Sequence, residues 1–586
     1  MNIHKYHKFA TSGILSPSFE VSISQSEAKQ TEIAFQFLLE KVNANDKSYL
    51  LEQISKFEHH TIKYFCIIFN FFQNKANFHI FEDILALENS LSIRLLIPTP
   101  GLDPSTEVLL YQKISSFLMK KDTRSFEAIN KLITKLYQLY KSPSNIGHML
   151  KASQELKIPF WRASAGMIRF GNGKNTFWTQ STFTCNTPIT SAKIARDKLL
   201  CSSVLERAGL PVAPKIPLQN DASIDAFINR YGFPLVVKPR SFDGGKLVYA
   251  DIKTKAELYS HIKKIQRTTN AILLEKHIEG KDVRCQVING KVVWSVLREP
   301  AYVIGDGTST LGELIDNKYL QQKDKNRISH IRSLPDKQDI INHLQKHNLN
   351  LDSILTNNKK MKIISIANVS LGGSVRAIND IIHPDNKKLA EDTVELLGLD
   401  IAGVDILLKD PGRSWKEIGG VVCEINACPQ FGIDSHKHLY SEYLNTCVPN
   451  NGEIPIFLVL GNEDTLSRMK RVQQKLDIEL GLNVPLCSSL ELSECDLATQ
   501  LHQKLSNRRT DFILIHSDST SYLNDTWGVA RFDYILVDDI ECSYDYNFQL
   551  IEDNNLTNKI INSSSNKVEC SSFIFDEIKS LNFNVR

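Results

Sequence analysis

Apolar positions along the chain fall into two rhythms. Gln30–Val42 and Phe126–Leu139 repeat every three to four residues, as a helix with one buried face does, whereas Thr61–Phe72 and Leu91–Ile97 are apolar runs of strand length. Together they predict an α+β domain over residues 1–160, to which a substrate-holding or oligomerising role is assigned as an expectation. Ile146–Leu156 reads as a helix, Pro159–Arg162 as extended chain, and Phe170–Asn175, with glycines set around Lys174, as a hairpin turn. Ser191–Pro214 reads as one amphipathic helix, with Ile194, Leu199, Leu200, Val204 and Leu205 on its apolar side and Gly209 and Pro211 closing it. Strands follow at Phe233–Arg240 and Ala271–Val293, the latter a hairpin turning at Asn289-Gly290. Residues 316–360 are polar and read as a solvated helix pair. Gly403–Leu407 and Cys423–Pro429 read as strands. A linker at Pro449–Gly452 leads into strand-then-helix at Glu453–Val472 and two more strands within Arg508–Asp518 and Arg531–Asp539.

Composition narrows the class. The 586 residues are 42% hydrophobic, enough for several cores. With 69 Lys and Arg against 66 Asp and Glu, the net charge of +3 offers no field for nucleic acid. The N-terminus has no signal-like apolar segment, and the most apolar run, Tyr64–Phe72, is too short to cross a bilayer and contains Asn70. Eleven cysteines occur with no C-x-x-C pairing, as expected for small buried thiols in a reducing compartment. The expectation is a cytoplasmic protein with neither nucleic-acid nor membrane partner.

Chemistry is concentrated in two places. Asp405 is the ionisable residue of an apolar strand, while Glu424 and Asn426, two apart on another, project to one face. Three hard oxygen ligands suit Mg²⁺, although a partly exposed sheet edge would look the same. Lys238 is the charged residue of a second apolar strand, which is costly unless its ammonium meets an anion. The following Ser241–Val248 can fold over phosphate, or form a plain hairpin at Asp243-Gly244-Gly245.

In order and spacing, R-F-G-N-G-K (169–174), A-R-D-K (195–198), V-V-K-P (236–239), E-K-H-I-E-G-K-D-V-R (275–284), R-E-P-A-Y-V-I-G-D-G (298–307), A-N-V-S-L-G-G (367–373), H-P-D-N (383–386), G-L-D-I-A-G-V-D (398–405) and E-I-N-A-C-P (424–429) resemble the ATP-grasp superfamily, and within it the ligase half of cyanophycin synthetases. The resemblance implies a multidomain α+β and α/β protein. It would have an ATP-grasp domain over 161–447, with a lid subdomain at about 200–295 and ATP between two α+β subdomains, followed by a small α/β domain over 448–586. It also implies ATP and two Mg²⁺ ions, amino-acid or peptide substrates, and a homo-oligomer, dimer or tetramer. Lys198 and Lys238 would be the two nucleotide-binding lysines, the second on the α- and β-phosphates. Ser241, Gly244, Gly245 and Lys246 would belong to the lid, Glu275, Lys276, His277 and Ile278 to the adenine hinge, and Asp282 would meet the ribose. Asp405, Glu424 and Asn426 would hold the metal, Arg284 and Arg298 would meet phosphate or acyl-phosphate charge, and the segment with Asn368 and Ser370 would offer N–H and hydroxyl donors near the acceptor end, or else be a plain bulge and turn. The activity implied is carboxylate–amine ligation through an acyl phosphate. The alternatives are a non-catalytic ATP-binding scaffold and a natural-product tailoring ligase.

The chain departs from the family in places. Its lid has F-D-G-G-K-L-V in place of a longer glycine run, Gln430 follows the proline where glycine is usual, and Gly403 stands where D-alanine ligases carry an arginine. The tail resembles the opening of a Mur-ligase-like half, yet Gly461 is followed by N-E-D-T-L-S, with neither the second glycine nor the lysine of a P-loop. It reads as a shrunken structural remnant.

Overall fold

The computed structural model describes residues 2–7, 18–23, 25–54, 63–75, 85–88, 93–98, 104–139, 144–163, 166–242, 247–323, 337–364, 372–431, 438–491, 497–518, 532–537, 557–562 and 574. The chain forms two compact units: Met1–Ser181 with Gly432–Arg586, and Thr182–Phe431.

In the first unit, Asn2–His7, Ser18–Ile23, Leu85–Glu88 and Ile93–Pro98 form an antiparallel sheet with the last two exchanged in order. Five helices, Gln25–Lys41, Ala44–Ile54, Lys63–Lys75, Pro104–Lys120 and Thr123–Leu139, share a core built on Phe35, Phe65, Phe72 and Phe117. The strand expected at Thr61–Phe72 is in fact a helix over Lys63–Lys75. Phe65, Ile67, Ile68, Phe69, Phe71 and Phe72 are all buried, so the helix is packed nearly all round and shows no polar stripe to betray its period.

The expected extended segment and turn are the strands Phe160–Arg162, Met167–Phe170 and Phe177–Gln180. The turn at 170–175 clasps the C-terminal part of this unit. Asn172 N–H donates to Gly452 O at 2.7 Å, Lys174 N–H to Thr510 O at 2.9 Å, and Lys174 Nζ pairs with Asp511 at 3.0 Å. Gly171 and Gly452 meet backbone to backbone: a Cβ on Gly171 would lie 2.8 Å from Gly452 Cα. Arg169, from the strand leading into the turn, donates to Ser506 Oγ.

The C-terminal part is a parallel α/β layer, ordered Leu486–Ser488, Ile513–Ser517, Ile456–Leu460, Phe532–Val537, Thr557–Asn562. Its first strand runs through Gly461 into the helix Glu463–Leu480. Asn462 Oδ1 accepts the N–H groups of Asp464 and Thr465, and buried His516 bridges Ser488 Oγ and the Gly461 carbonyl. Two amides of this helix N-terminus, where a P-loop would receive a phosphate, are thus capped by the chain itself.

The second unit carries the chemistry on two antiparallel sheets. One is built from β1 (Lys215–Pro217), β2 (Leu235–Pro239), β3 (Tyr249–Ile252) and β4 (Ile272–Lys276), in the order β3-β2-β4-β1, and packs on the helices Asp221–Tyr231 and Lys255–Gln266. The other is built from β5 (Lys281–Ile288), β6 (Lys291–Glu299), β7 (Ser374–Ala377), β8 (Ile401–Leu408) and β9 (Gly420–Asn426), in the order β7-β6-β5-β8-β9. The sequence over about 200–295 is therefore shared between the sheets, which divide between Lys276 and Lys281. The expected hairpin closes at Asn289-Gly290, both at positive φ.

Two local expectations change. Ser191–Pro214 is not one helix but two, Ile189–Arg196 and Lys198–Arg207, interrupted at Asp197. Asp197 adopts an extended conformation, caps the second helix through Leu199 and Leu200 N–H, and takes a bidentate pair from Arg240. The 316–360 region is more than a solvated helix pair. Helices Leu311–Lys323 and Lys337–Gln345 pack with the ladder Tyr302–Ile304/Lys360–Lys362 around Leu311, Ile315, Ile340, Leu344 and Met361.

Candidate active site

Strand register explains which side chains meet. On β5, β8 and β9, Arg284 pairs with Asp405 and Asp405 with Glu424, while Gln286 pairs with Gly403 and Gly403 with Asn426. Residues two apart share a face, so Asp282, Arg284 and Gln286, then Gly403 and Asp405, then Glu424 and Asn426 line one surface, joined by Arg298 opposite Asp282 on β6. The other surface, with Val283, Cys285, Val287, Val404 and Ile406, is the core against the helix Pro384–Leu397. A polar floor on an apolar underlay results.

Charges on this floor are paired in a chain. Arg284 grips Asp405 with two nitrogens, Nε on Oδ1 and Nη2 on Oδ2 at 3.0 Å. Arg298 Nη2 lies 2.9 Å from Asp405 Oδ2 and 2.7 Å from Asp282 Oδ1. Burial pushes the Asp405 carboxyl up, but the two guanidinium groups more than offset this and leave it below the usual carboxylate range. Asp282 keeps the opposite sign: burial outweighs Arg298 and raises its carboxyl to about 6.

The first sheet adds the lysines. Glu275 Oε2 receives Lys238 Nζ at 2.9 Å and Lys215 Nζ at 3.0 Å, and all three groups are buried. Register accounts for this, since Lys215 is directly opposite Glu275 and Lys238 diagonal to it. Lys198, the first residue of its helix, reaches Glu424 Oε1 at 3.1 Å and donates to Phe242 O at 2.7 Å. Lys198, Lys215, Lys238, Arg284 and Arg298 thus face Glu275, Glu424, Asp282 and Asp405, one positive charge in excess, a field suited to a polyphosphate. The thiols nearby are inert: burial pushes Cys423 up to about 12 and Cys201 to about 11.

The remaining expected residues are distributed as follows. Ser241 is exposed just beyond β2, and Gly244, Gly245, Lys246, Asn368 and Ser370 lie outside the described residues. At the expected hinge, Lys276 N–H donates to Pro214 O and His277 N–H to Pro234 O, and Lys276 Nζ caps the carbonyls of Gly232 and Phe233. Burial lowers the His277 imidazole. Ile278 begins the connector to β5 and is half-buried. Lys215, Arg240, Asp197 and Gln286 belong to the constellation without having been picked out in the sequence.

Asp405, Glu424 and Asn426 offer three hard oxygens on one face of adjacent strands, a donor set that fits Mg²⁺. Each carboxylate already opposes a cationic side chain, so a divalent ion entering here displaces a guanidinium or ammonium contact. Among the described residues no cluster of three or more His, Cys, Asp or Glu is placed to hold a metal ion, so Asn426 is needed as the third donor, and no helix is long and apolar enough to cross a membrane.

Parts of the chain are similar to known proteins. Residues 204–338 match the family model of the D-ala D-ala ligase C-terminus. Cyanophycin synthetase of Synechocystis sp. is 32% identical over 283 residues, 47% of this chain and 32% of that protein. The glutathione biosynthesis bifunctional protein GshAB of Clostridium perfringens is 27% identical over 286 residues, 47% of this chain and 34% of its own. A solved bifunctional glutathione synthetase from Pasteurella multocida covers 55% of this chain and 51% of its own at 18% identity, with a TM-score of 0.36, too loose a match to bear on the fold. The chain spans about a third of the length of the curated relatives it matches. Over about half of its length the chain is similar to cyanophycin synthetase, and over residues 204–338 to the D-ala D-ala ligase C-terminus.

Proposed function

We propose that this protein is an ATP- and Mg²⁺-dependent carboxylate–amine ligase. It adds an amino acid to the carboxylate of an amino acid, a peptide or a poly-amino-acid chain, releasing ADP and phosphate. The observation that carries the reading is Asp405 directly opposite Glu424, on a floor that Arg284 and Arg298 share, with three buried lysines nearby.

A carboxylate is a poor electrophile, and phosphorylation by ATP converts it into an acyl phosphate that an amine can attack, expelling phosphate. Asp405, Glu424 and Asn426 would hold Mg²⁺, which would neutralise charge on the phosphoryl oxygens. Lys198 and Lys238 bind the nucleotide phosphates, Lys238 being kept charged by Glu275 despite burial. Asp282 accepts from the ribose hydroxyls. Arg284 and Arg298 lie beside Asp405 and oppose charge on the transferring phosphoryl and acyl groups, part of their pairing with Asp405 giving way to the metal. Ser241–Lys246 close over the phosphates and keep water from the acyl phosphate.

The C-terminal α/β domain is read as structural. Asn462 occupies the helix N-terminus, and Glu463 and Asp464 repel phosphate there. With one working site, the enzyme adds one kind of residue, and we place it among homo-oligomers acting on small substrates.

The test is ADP release with ATP and Mg²⁺ across amino acids, dipeptides and short acidic peptides, with mass spectrometry of each mixture. The expected result is ADP formation dependent on one substrate pair and a product lighter by one water than the two combined. Binding of ATP without ADP formation across the panel would shift the reading to a nucleotide-binding scaffold.

A further inference from the structure

Gly403 sits between Gln286 and Asn426 in one row of the floor, beside the row that holds Arg284, Asp405 and Glu424. A Cβ built on it would lie 2.8 Å from Arg284 Nη1, 3.1 Å from Arg284 Cδ and 3.1 Å from Gln286 Oε1. A flexible arginine would normally swing aside. Here two of its nitrogens are fixed on Asp405, and Gln286 is fixed by its own bond, Nε2 to Gln430 O at 2.9 Å. Gln286 is 1% exposed and its Oε1 accepts no hydrogen bond among the described residues, so it has no polar alternative to move to.

We propose that Gly403 is a positioning residue for Arg284. Its missing side chain leaves the space beside β8 that Arg284 Nη1 and Cδ occupy while Nε and Nη2 hold Asp405. A methyl group at 403 drives the guanidinium off the strand and breaks the bidentate grip. Two consequences follow. Asp405 becomes more available to a divalent ion, and Arg284 no longer stands where the transferring group is opposed. The second consequence rests on the ligase reading above; the first does not.

Mn²⁺ binding to the full-length protein without nucleotide, followed by electron paramagnetic resonance, separates the two. Gly403→Ala is expected to bind Mn²⁺ at least threefold more tightly than wild type, Arg284→Ala likewise, and the double variant no more tightly than Arg284→Ala alone. A positioning role requires that non-additivity, since the methyl has nothing left to displace. In the ligase assay Gly403→Ala is expected to lower kcat at least tenfold with KM for ATP within twofold. Wild-type Mn²⁺ affinity in Gly403→Ala, weaker binding, or effects that multiply in the double variant would overturn the proposal, whether or not any substrate pair yields ADP. If Gly403→Ala alone does not fold, recovery of a folded protein on adding Arg284→Ala supports the same displacement, and failure to recover refutes it.

Discussion

Lys198 and Glu424 are joined by an ion pair of 3.1 Å, and the same ammonium holds the carbonyl of Phe242 just beyond β2. One side chain therefore links a carboxylate of the polar floor to the start of the segment proposed to close over the phosphates. Lys198→Met removes both contacts and is expected to lower ADP formation about a hundredfold, the scale of losing one preorganised charge of about 3 kcal/mol. Steady-state ADP release checks this. A fall of less than threefold would remove Lys198 from the phosphate-binding role.

Glu275 is the shared counter-ion of two buried lysines. Glu275→Gln leaves both unpaired and is expected to destabilise the protein by about 3–5 kcal/mol at pH 7. Burial raises this carboxyl, but Lys238 and Lys215 more than offset that and hold it below the ordinary 4.5. The folded state therefore binds the proton more weakly than the unfolded chain. The stabilisation is present above pH 4.5 and is lost as pH falls through the folded value. Urea midpoints for wild type and Glu275→Gln should converge as pH drops from 7 towards 3, and a constant gap would contradict the triad.

Asp282 should give ATP binding its acid limb. Its carboxyl, raised to about 6 by burial, accepts from a ribose hydroxyl only when ionised. ATP affinity is expected to weaken about fivefold between pH 6 and pH 5, as the ionised fraction falls from about a half to about a tenth. Calorimetric titration should show this in wild type, whereas Asp282→Asn should bind weakly and without the pH dependence.

Asn462 is expected to matter for folding alone. Asn462→Ala removes a helix cap and should cost about 1 kcal/mol, read as a lower urea midpoint. ADP formation per folded molecule should stay unchanged, and a specific loss of turnover would restore a catalytic role to the C-terminal domain.

What was legible in the sequence was local. The Asn289-Gly290 turn, the strand carrying Lys238 and the strands carrying Asp405 and Glu424 all declare themselves within a few residues. Lys215 and Arg240 do not, because their partners Glu275 and Asp197 are distant in sequence and only register or a helix break brings them together. The break at Asp197 was hidden for the same reason. Apolar spacing runs on through it, while the extended conformation is fixed by Arg240. At Lys63–Lys75 the pattern misled in the opposite way, since burial on nearly every side erases the polar stripe that identifies a helix.

The clasp between 169–175 and the C-terminal part also orders events in time. Arg169 and Lys174 are each 337 residues from the partners they hold, Ser506 and Asp511. At about 5–20 residues per second of synthesis, the early strands wait roughly 20–70 s for those partners to leave the ribosome. The intervening 250-residue unit, Thr182–Phe431, is complete well before then. That intervening unit can thus finish first on the nascent chain, while the segment that precedes it in sequence is among the last to be sealed.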